Sequence, residues 1–398
     1  MHEPEQTHDI PASGAYREGE TRPGLAFADL GTVLLQSGEQ LPVTLAYETF
    51  GTLNTARDNA ILVLHALTGD SHCADGPAGP GWWREIVGPG RVIDTDRYFV
   101  LAPNILGGCQ GSTGPASTAP DGRPYGARFP NVTARDQVLA ESLLADHLGI
   151  ETFQLVVGAS MGGHRALEWA ISRPTRLKRL AVIASGARTT ADQIGLGHTQ
   201  LLAIESDPNF VGGDYYDRSP GTGPWRGLAL ARRIAHLSYR TSHELDTRFG
   251  RIPQGGEEPL NGGRFAVQSY LDHHGVKLVR RFDANSYVTL TRAMLTHDVG
   301  RDRGGVREAL RAIRVPTLVL AVDTDRLFTH AESRVLADSI ETALPLGIIS
   351  SPYGHDAFLI EHDQVSAHLD TLLAQRALTP GPGTPHACLD YPNGREEA

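Results

Sequence analysis

The sequence predicts an α/β fold, a mostly parallel β-sheet flanked by helices, with an all-helical insertion between two of its strands. Three observations predict it. Short apolar, β-branched runs alternate with helix-patterned stretches toward both ends of the 398 residues, the rhythm of βαβ units. A serine framed by glycines stands where one such run meets a helix pattern. Between Gly186 and about residue 304 the β runs stop and helical periodicity takes over.

Residues 1–22 are polar with scattered Gly and Pro and read as a mobile N-terminal segment. Strand signals follow at 42–49, 60–64, 98–102, 153–157 and 179–184, joined by helix patterns at 134–147 and 163–172. The insertion carries helix patterns around 192–205, 228–238, 265–279 and 286–295, with a Gly/Pro-rich stretch at 206–224 after the first. Strand signals return at 316–322 and 346–350, and a helix pattern at 361–375 closes the fold. The expected organisation is a core over 23–185 and 305–377, a helical lid over 186–304, and a disordered tail over 378–398, where Pro380, Gly381, Pro382, Gly383 and Pro385 cluster. Neither an internal repeat nor a phosphate-cradling glycine loop is visible.

The chemistry starts at Gly158-Ala159-Ser160-Met161-Gly162, after the apolar run 153–157 and before the helix-like 163–171. A serine on a tight strand-to-helix turn projects its hydroxyl into a cleft, and small flanking residues let backbone amides approach a developing oxyanion. This is the nucleophile elbow of an α/β-hydrolase fold, in which the acid and then the histidine follow the serine, each after a strand. The run 317–322 ends in Asp323-Thr324-Asp325, and the run 346–349 leads through Ser351-Pro352-Tyr353-Gly354 to His355. Spacing leaves both aspartates open, since Asp323 at the strand end is also placed to cap the loop. Among seventeen histidines, His355 alone follows a glycine-containing loop after the last strand and precedes the apolar 357–360. The strand 60–64 and loop His65-Ala66-Leu67-Thr68-Gly69 should bring an amide donor, so the N–H groups of Leu67 and Met161 are the oxyanion-hole candidates, with His65 structural beneath the loop.

Strings outside the elbow carry a resemblance. They include Asn104 to Pro115 (NILGGCQGSTGP), Ala166-Leu167-Glu168-Trp169, Ala231-Arg232, Leu237-Ser238-Tyr239-Arg240, Arg281 to Tyr287 (RFDANSY), Asp325-Arg326-Leu327-Phe328 and Gly354 to Leu359 (GHDAFL). Over roughly residues 24–375 the chain resembles the homoserine O-acetyltransferases of the MetX type. The resemblance implies Ser160, Asp325 and His355 as the triad, and so selects Asp325 over Asp323. It also implies Arg232 and Asp356 as contacts to homoserine, with Tyr239 nearby. A planar guanidinium suits the carboxylate of the amino acid, and a carboxylate suits its ammonium. The implied reaction moves an acetyl group from acetyl-CoA to L-homoserine through an acyl-serine, with neither metal nor redox cofactor, in a homodimer formed through the lid. Related acyltransferases that take serine or a succinyl donor, and esterases or thioesterases with the same triad, are the alternatives. The chain departs from many relatives at His164-Arg165, where they carry an uncharged pair.

Composition bounds the rest. A formal charge of −10 disfavours nucleic acid and anionic membrane surfaces. Cys73, Cys109 and Cys388 are too few and too scattered for a disulfide framework, and no Cys/His spacing suggests zinc. The start of the chain is polar and acidic, unlike a signal peptide, and no apolar run approaches membrane-spanning length, so a cytoplasmic protein is expected.

Overall fold

The structure, a computed structural model, describes residues 9–16, 20 and 22–375. It begins with β1 (Ala26–Leu34) and β2 (Gln40–Phe50), an antiparallel hairpin whose register shifts between Asp29 and Thr32. There follow β3 (Ala60–Leu64), a separate two-residue pair β4 (Val87–Gly88) and β5 (Ile93–Asp94), then β6 (Phe99–Pro103), α1 (Ala134–His147), β7 (Leu155–Ala159), α2 (Met161–Ser172) and β8 (Leu180–Ile183). The insertion holds α3 (Ala191–Glu205), α4 (Trp225–Tyr239), α5 (Ser242–Phe249), α6 (Ala266–Val279) and α7 (Ala284–Leu295). The core then resumes with α8 (Val306–Arg311), β9 (Thr317–Val322), α9 (His330–Ser339), β10 (Gly347–Ile349) and α10 (His362–Ala374).

The eight-stranded sheet runs β1-β2-β6-β3-β7-β8-β9-β10 and is parallel from β6 to β10. Every residue of β3, β7, β8 and β9 is buried, because helices cover both faces of a parallel sheet; this is why these strands read as unbroken apolar runs. One face packs Val156, Leu180 and Val319 against Leu167 and Trp169 of α2 and Leu144 of α1. The other packs Val157, Ile183 and Leu320 against Val365 and Leu369 of α10. A third cluster joins the lid to the core, with Leu228, Phe282, Tyr287 and Leu290 around Leu67 and Met161.

β1 has no clean strand signal, because Asp29, Gly31 and Thr32 interrupt its apolar residues at the point where the register shifts. α9 is equally quiet in sequence; a capping box from Thr329 and Glu332 starts it, and of its few apolar side chains Leu336 is fully buried. Within the segment expected to be mobile, residues 9–16 are packed. Ile10 is fully buried and its carbonyl accepts from the Gly221 amide of the lid. The Ser13 hydroxyl donates to Asp283, the Gly14 amide donates to the Phe282 carbonyl, and the Tyr16 amide donates to the Cys109 carbonyl of the core. A side chain at Gly14 would overlap the backbone of Phe282 and Arg281, so the strap lies flat against the lid. The tail expected at 378–398, with Cys388, lies outside the described residues.

Candidate active site

Ser160 links β7 to α2 with φ 54° and ψ −124°, a conformation that strains a residue bearing a Cβ. Surrounding bonds hold it there: its amide donates to the Ile183 carbonyl at 3.0 Å, and its carbonyl accepts from Ser185 Oγ at 2.9 Å. The turn tolerates nothing larger than glycine at 158 and 162. A Cβ at Gly158 would overlap the Gly162 carbonyl, and one at Gly162 would overlap the Leu64 carbonyl at the end of β3. The tight elbow thus presses the start of α2 against the strand that carries the Leu67 loop.

The structure brings Ser160, His355 and Asp325 into one hydrogen-bonded row. His355 Nε2 lies 2.9 Å from Ser160 Oγ, and its Nδ1 lies 2.6 Å from Asp325 Oδ2. All three are buried. Asp325 is itself fixed, because its Oδ1 accepts from the amides of Leu327 and Phe328 at 2.8 and 3.0 Å. Burial alone would lower the His355 pKa, but the Asp325 carboxylate and its hydrogen bond outweigh it and hold the imidazole above its usual value. Phe328 stacks on the ring at 5.3 Å, and Tyr239 and Phe358 flank it at 5.7 and 5.6 Å. Asp323 stands apart. Its carboxylate accepts from the Ser351 amide and the Ser350 hydroxyl and so closes the loop that delivers His355.

The Leu67 loop is held from two sides. His65 Nδ1 must donate to the Ala66 carbonyl, 2.8 Å away, because Nε2 accepts from the Ile105 amide. Burial, with the Arg165 charge, pushes the His65 pKa down to about 3, so the ring stays neutral in this tautomer. Arg165 of α2 reaches the His65 carbonyl at 2.6 Å and pairs with Glu141 of α1, which also accepts from the Trp169 indole. Its neighbour His164 stacks on His297 at 3.8 Å and meets the edge of Phe328. His164 and Arg165 therefore face inward and brace the elbow. The Met161 amide is the first of α2 and has no intrahelical acceptor.

The remaining predicted residues lie on the lid side of the triad. Arg232 Nη1 is 3.5 Å from Thr68 Oγ1, and its guanidinium lies 5.4 Å from the Tyr239 ring. Among the described residues no carboxylate forms an ion pair with it within 4.0 Å, unlike Arg233, which pairs with Asp272. Asp356 is half-buried and meets Arg240 at 3.3 Å. Burial raises its pKa, against the opposing pull of His355, Arg240 and Arg232. Arg240, which also pairs with Glu244 at 2.8 Å, carries no signal in the sequence that marks it as part of the site. A small apolar cavity adjoins the triad, lined by Leu67, Gln193, Gly197, Tyr239, Leu295 and Phe328 among others. Among the described residues no group of three or more His, Cys, Asp or Glu could hold a metal ion, and no helix is long and apolar enough to cross a membrane.

Known proteins resemble the chain in sequence and in fold. The α/β-hydrolase fold family matches residues 59–361. A homoserine O-acetyltransferase of Thermobifida fusca is 57% identical over 93% of this chain and 99% of its own length. Among solved structures, a homoserine O-acetyltransferase from Bacillus anthracis superposes with a TM-score of 0.83 at 26% identity, covering 89% of this chain and 98% of the other. Esterase E22 superposes with a TM-score of 0.80, also at 26% identity, over 88% of this chain and 99% of its own. With an elbow serine, its histidine and its aspartate in one row beneath a helical lid, the chain belongs to the α/β-hydrolase fold and, within it, to the homoserine O-acetyltransferase family.

Proposed function

We propose that the protein transfers the acetyl group of acetyl-CoA to the hydroxyl of L-homoserine, giving O-acetyl-L-homoserine for methionine synthesis. The observation that carries this reading is the pairing of the Ser160–His355–Asp325 row with Arg232 and Asp356 on the same side of it. A guanidinium without a carboxylate partner and a half-buried carboxylate, both beside the nucleophile, suit the two charged ends of an amino acid.

His355 Nε2 takes the Ser160 proton as Oγ attacks the thioester carbonyl. The amides of Leu67 and Met161 hold the oxyanion, each donor contributing about 3–4 kcal/mol in comparable sites. The C–S bond breaks, CoA leaves with the proton from His355, and an acetyl-serine remains. The hydroxyl of homoserine then gives its proton to His355 and attacks the acetyl carbonyl, and Ser160 recovers its proton as the product ester departs. Arg232 holds the carboxylate of homoserine, Asp356 its ammonium, and Tyr239 packs beside both. Among the described residues the lining of the cavity next to the triad holds no Lys or Arg, which favours a neutral acetyl donor over a succinyl one. No metal or redox cofactor enters these steps.

Leu230 and Leu237, one heptad apart on α4, are 47% and 41% exposed, and their side of the lid is where a second copy would pack to give a homodimer. A cytoplasmic setting agrees with Cys73 and Cys109, both unpaired and buried. The likeness to esterase E22 favours a second reading, hydrolysis of acetyl esters on the same row. Measuring CoA release from acetyl-CoA with and without L-homoserine separates them. The transferase reading expects a steep rise with homoserine, and acetylation of the Ser160 peptide when homoserine is withheld; release indifferent to homoserine would establish the esterase.

A further inference from the structure

Arg281 stands in the connection between α6 and α7, and its backbone is fixed on all sides. Its amide donates to the Leu278 carbonyl, its carbonyl accepts from Gln110 Nε2 at 2.7 Å, and the next residues, Phe282 and Asp283, are fully buried. From this rigid base the side chain crosses to the Leu67 loop, where Nη1 donates to the Thr68 carbonyl at 2.9 Å. Arg232 reaches the hydroxyl of the same threonine from α4. Two guanidiniums from different lid elements therefore converge on the residue that follows the proposed oxyanion donor.

Neither is neutralised by a direct partner. Among the described residues Arg281 makes no ion pair within 4.0 Å, and its guanidinium has no protein acceptor besides the Thr68 carbonyl. Its side chain is exposed by surface area, yet protein crowds the guanidinium enough to lower its pKa. Asp70 opposes that effect and the neighbouring Arg232 charge adds to it. A neutral side chain would serve as well for one bond to a carbonyl; Asp70 offsets part of the Arg232 charge without an ion pair to Arg281, and an anion held between the two guanidiniums would pair directly with both.

The anion that fits is set by distance from the nucleophile. Thr68 is one residue from Leu67. The carboxylate of an ω-hydroxy amino acid of homoserine's length lies four bonds, roughly 5 Å, from its attacking oxygen. The diphosphate of CoA lies a full pantetheine arm away from the thioester, too far to reach Thr68 while the acetyl group is at Ser160. We propose that Arg281 is a second contact for the carboxylate of the acceptor, so that Arg232 and Arg281 grip it together and select an α-amino acid over an amino alcohol. This rests on the proposed acyl transfer to homoserine.

The test compares Arg281→Gln and Arg281→Lys with the parent enzyme, using L-homoserine and 3-amino-1-propanol, which keeps the hydroxyl and ammonium but lacks the carboxylate. Release of CoA in the first turnover, without acceptor, reports Ser160 acetylation separately. A parent enzyme that does not prefer homoserine over the amino alcohol would refute the underlying acceptor reading and leave no basis for this one. Given that preference, Arg281→Gln should lower kcat/KM for homoserine by about 30-fold while acetylation and the amino-alcohol reaction stay within about twofold, with Arg281→Lys regaining part of the loss. Equal losses with both acceptors, or slowed acetylation, would show that Arg281 merely braces the Leu67 loop. An unchanged homoserine reaction would place the carboxylate on Arg232 alone. Either outcome overturns the proposal.

Discussion

Replacing Asp325 by asparagine changes one atom and should remove nearly all activity, for a reason visible in its hydrogen bonds. Oδ1 accepts from two amides, Leu327 and Phe328, so in Asp325→Asn the amide oxygen is obliged to stay there and the NH2 must face His355 Nδ1. A donor at that position forces Nδ1 to accept and moves the ring proton to Nε2, which then points at Ser160 Oγ, 2.9 Å away. The base is gone from both half-reactions. Loss of turnover of about 10⁴, near 5.5 kcal/mol of barrier, is the scale for a tautomer error of this kind. Asp323→Asn is the control: its oxygen still accepts from Ser351, its NH2 meets an exposed Ser350 hydroxyl free to rotate, and turnover should change by less than about threefold. The assay is homoserine-dependent CoA release, with circular dichroism to verify folding. Asp325→Asn within about tenfold of the parent, or equal losses in the two variants, would refute the reasoning.

Arg232→Lys keeps the charge but not the planar fork, and kcat/KM for homoserine should fall roughly 30- to 1000-fold with Ser160 acetylation near the parent rate; joint loss of both half-reactions would mark Arg232 as structural. Glu141→Ala strips the partner from a fully buried Arg165 and should cost about 3–5 kcal/mol in urea denaturation, so a loss below about 1 kcal/mol would contradict the buried pair. Turnover should rise with pH through an apparent pKa above 6.5, because His355 must be neutral to act and its pKa is raised; a lower acid limb would contradict the Asp325 contact. Stability runs with pH for a different reason. His65 and His297, held down to about 3 and about 4, take up protons below pH 6.5 only when unfolded, so each should cost about 2.5 kcal/mol by pH 4.5; replacing either by an uncharged residue should flatten that slope.

The sheet and the row Ser160–Asp325–His355 were legible because their signals are local. A buried parallel strand is a run of apolar residues, an elbow is five residues, and a catalytic loop follows its strand. Even there, spacing left Asp323 and Asp325 unresolved. The two aspartates are separated by what their oxygens touch, Ser350 and Ser351 or His355, and periodicity carries no trace of that. The contacts of Arg281 and Arg240 beside the row are invisible in the sequence because their partners are distant in the chain: Thr68 is 213 residues from Arg281, and Asp356 is 116 residues from Arg240. The packing of residues 9–16 is hidden in the sequence because polarity and glycine suggest a loose end. Gly14 is there because the lid leaves no room for a side chain, and composition alone does not distinguish a small residue that is crowded from one that is free.

That strap alters how the lid can behave. A flap joined to its base by two neighbouring connections swings about the line between them, and here those connections leave β8 and return to β9, adjacent strands of the sheet. Ser13 on Asp283, Gly14 on Phe282 and Ile10 on Gly221 fasten it at a third point, and Tyr16 anchors that fastening to Cys109 in the core. Each of these bonds ties the lid at a place other than its two chain connections. Any swing of the lid must therefore break the bonds of residues 10–16 as well, so the first part of the chain shares in setting how far the lid stands from Ser160.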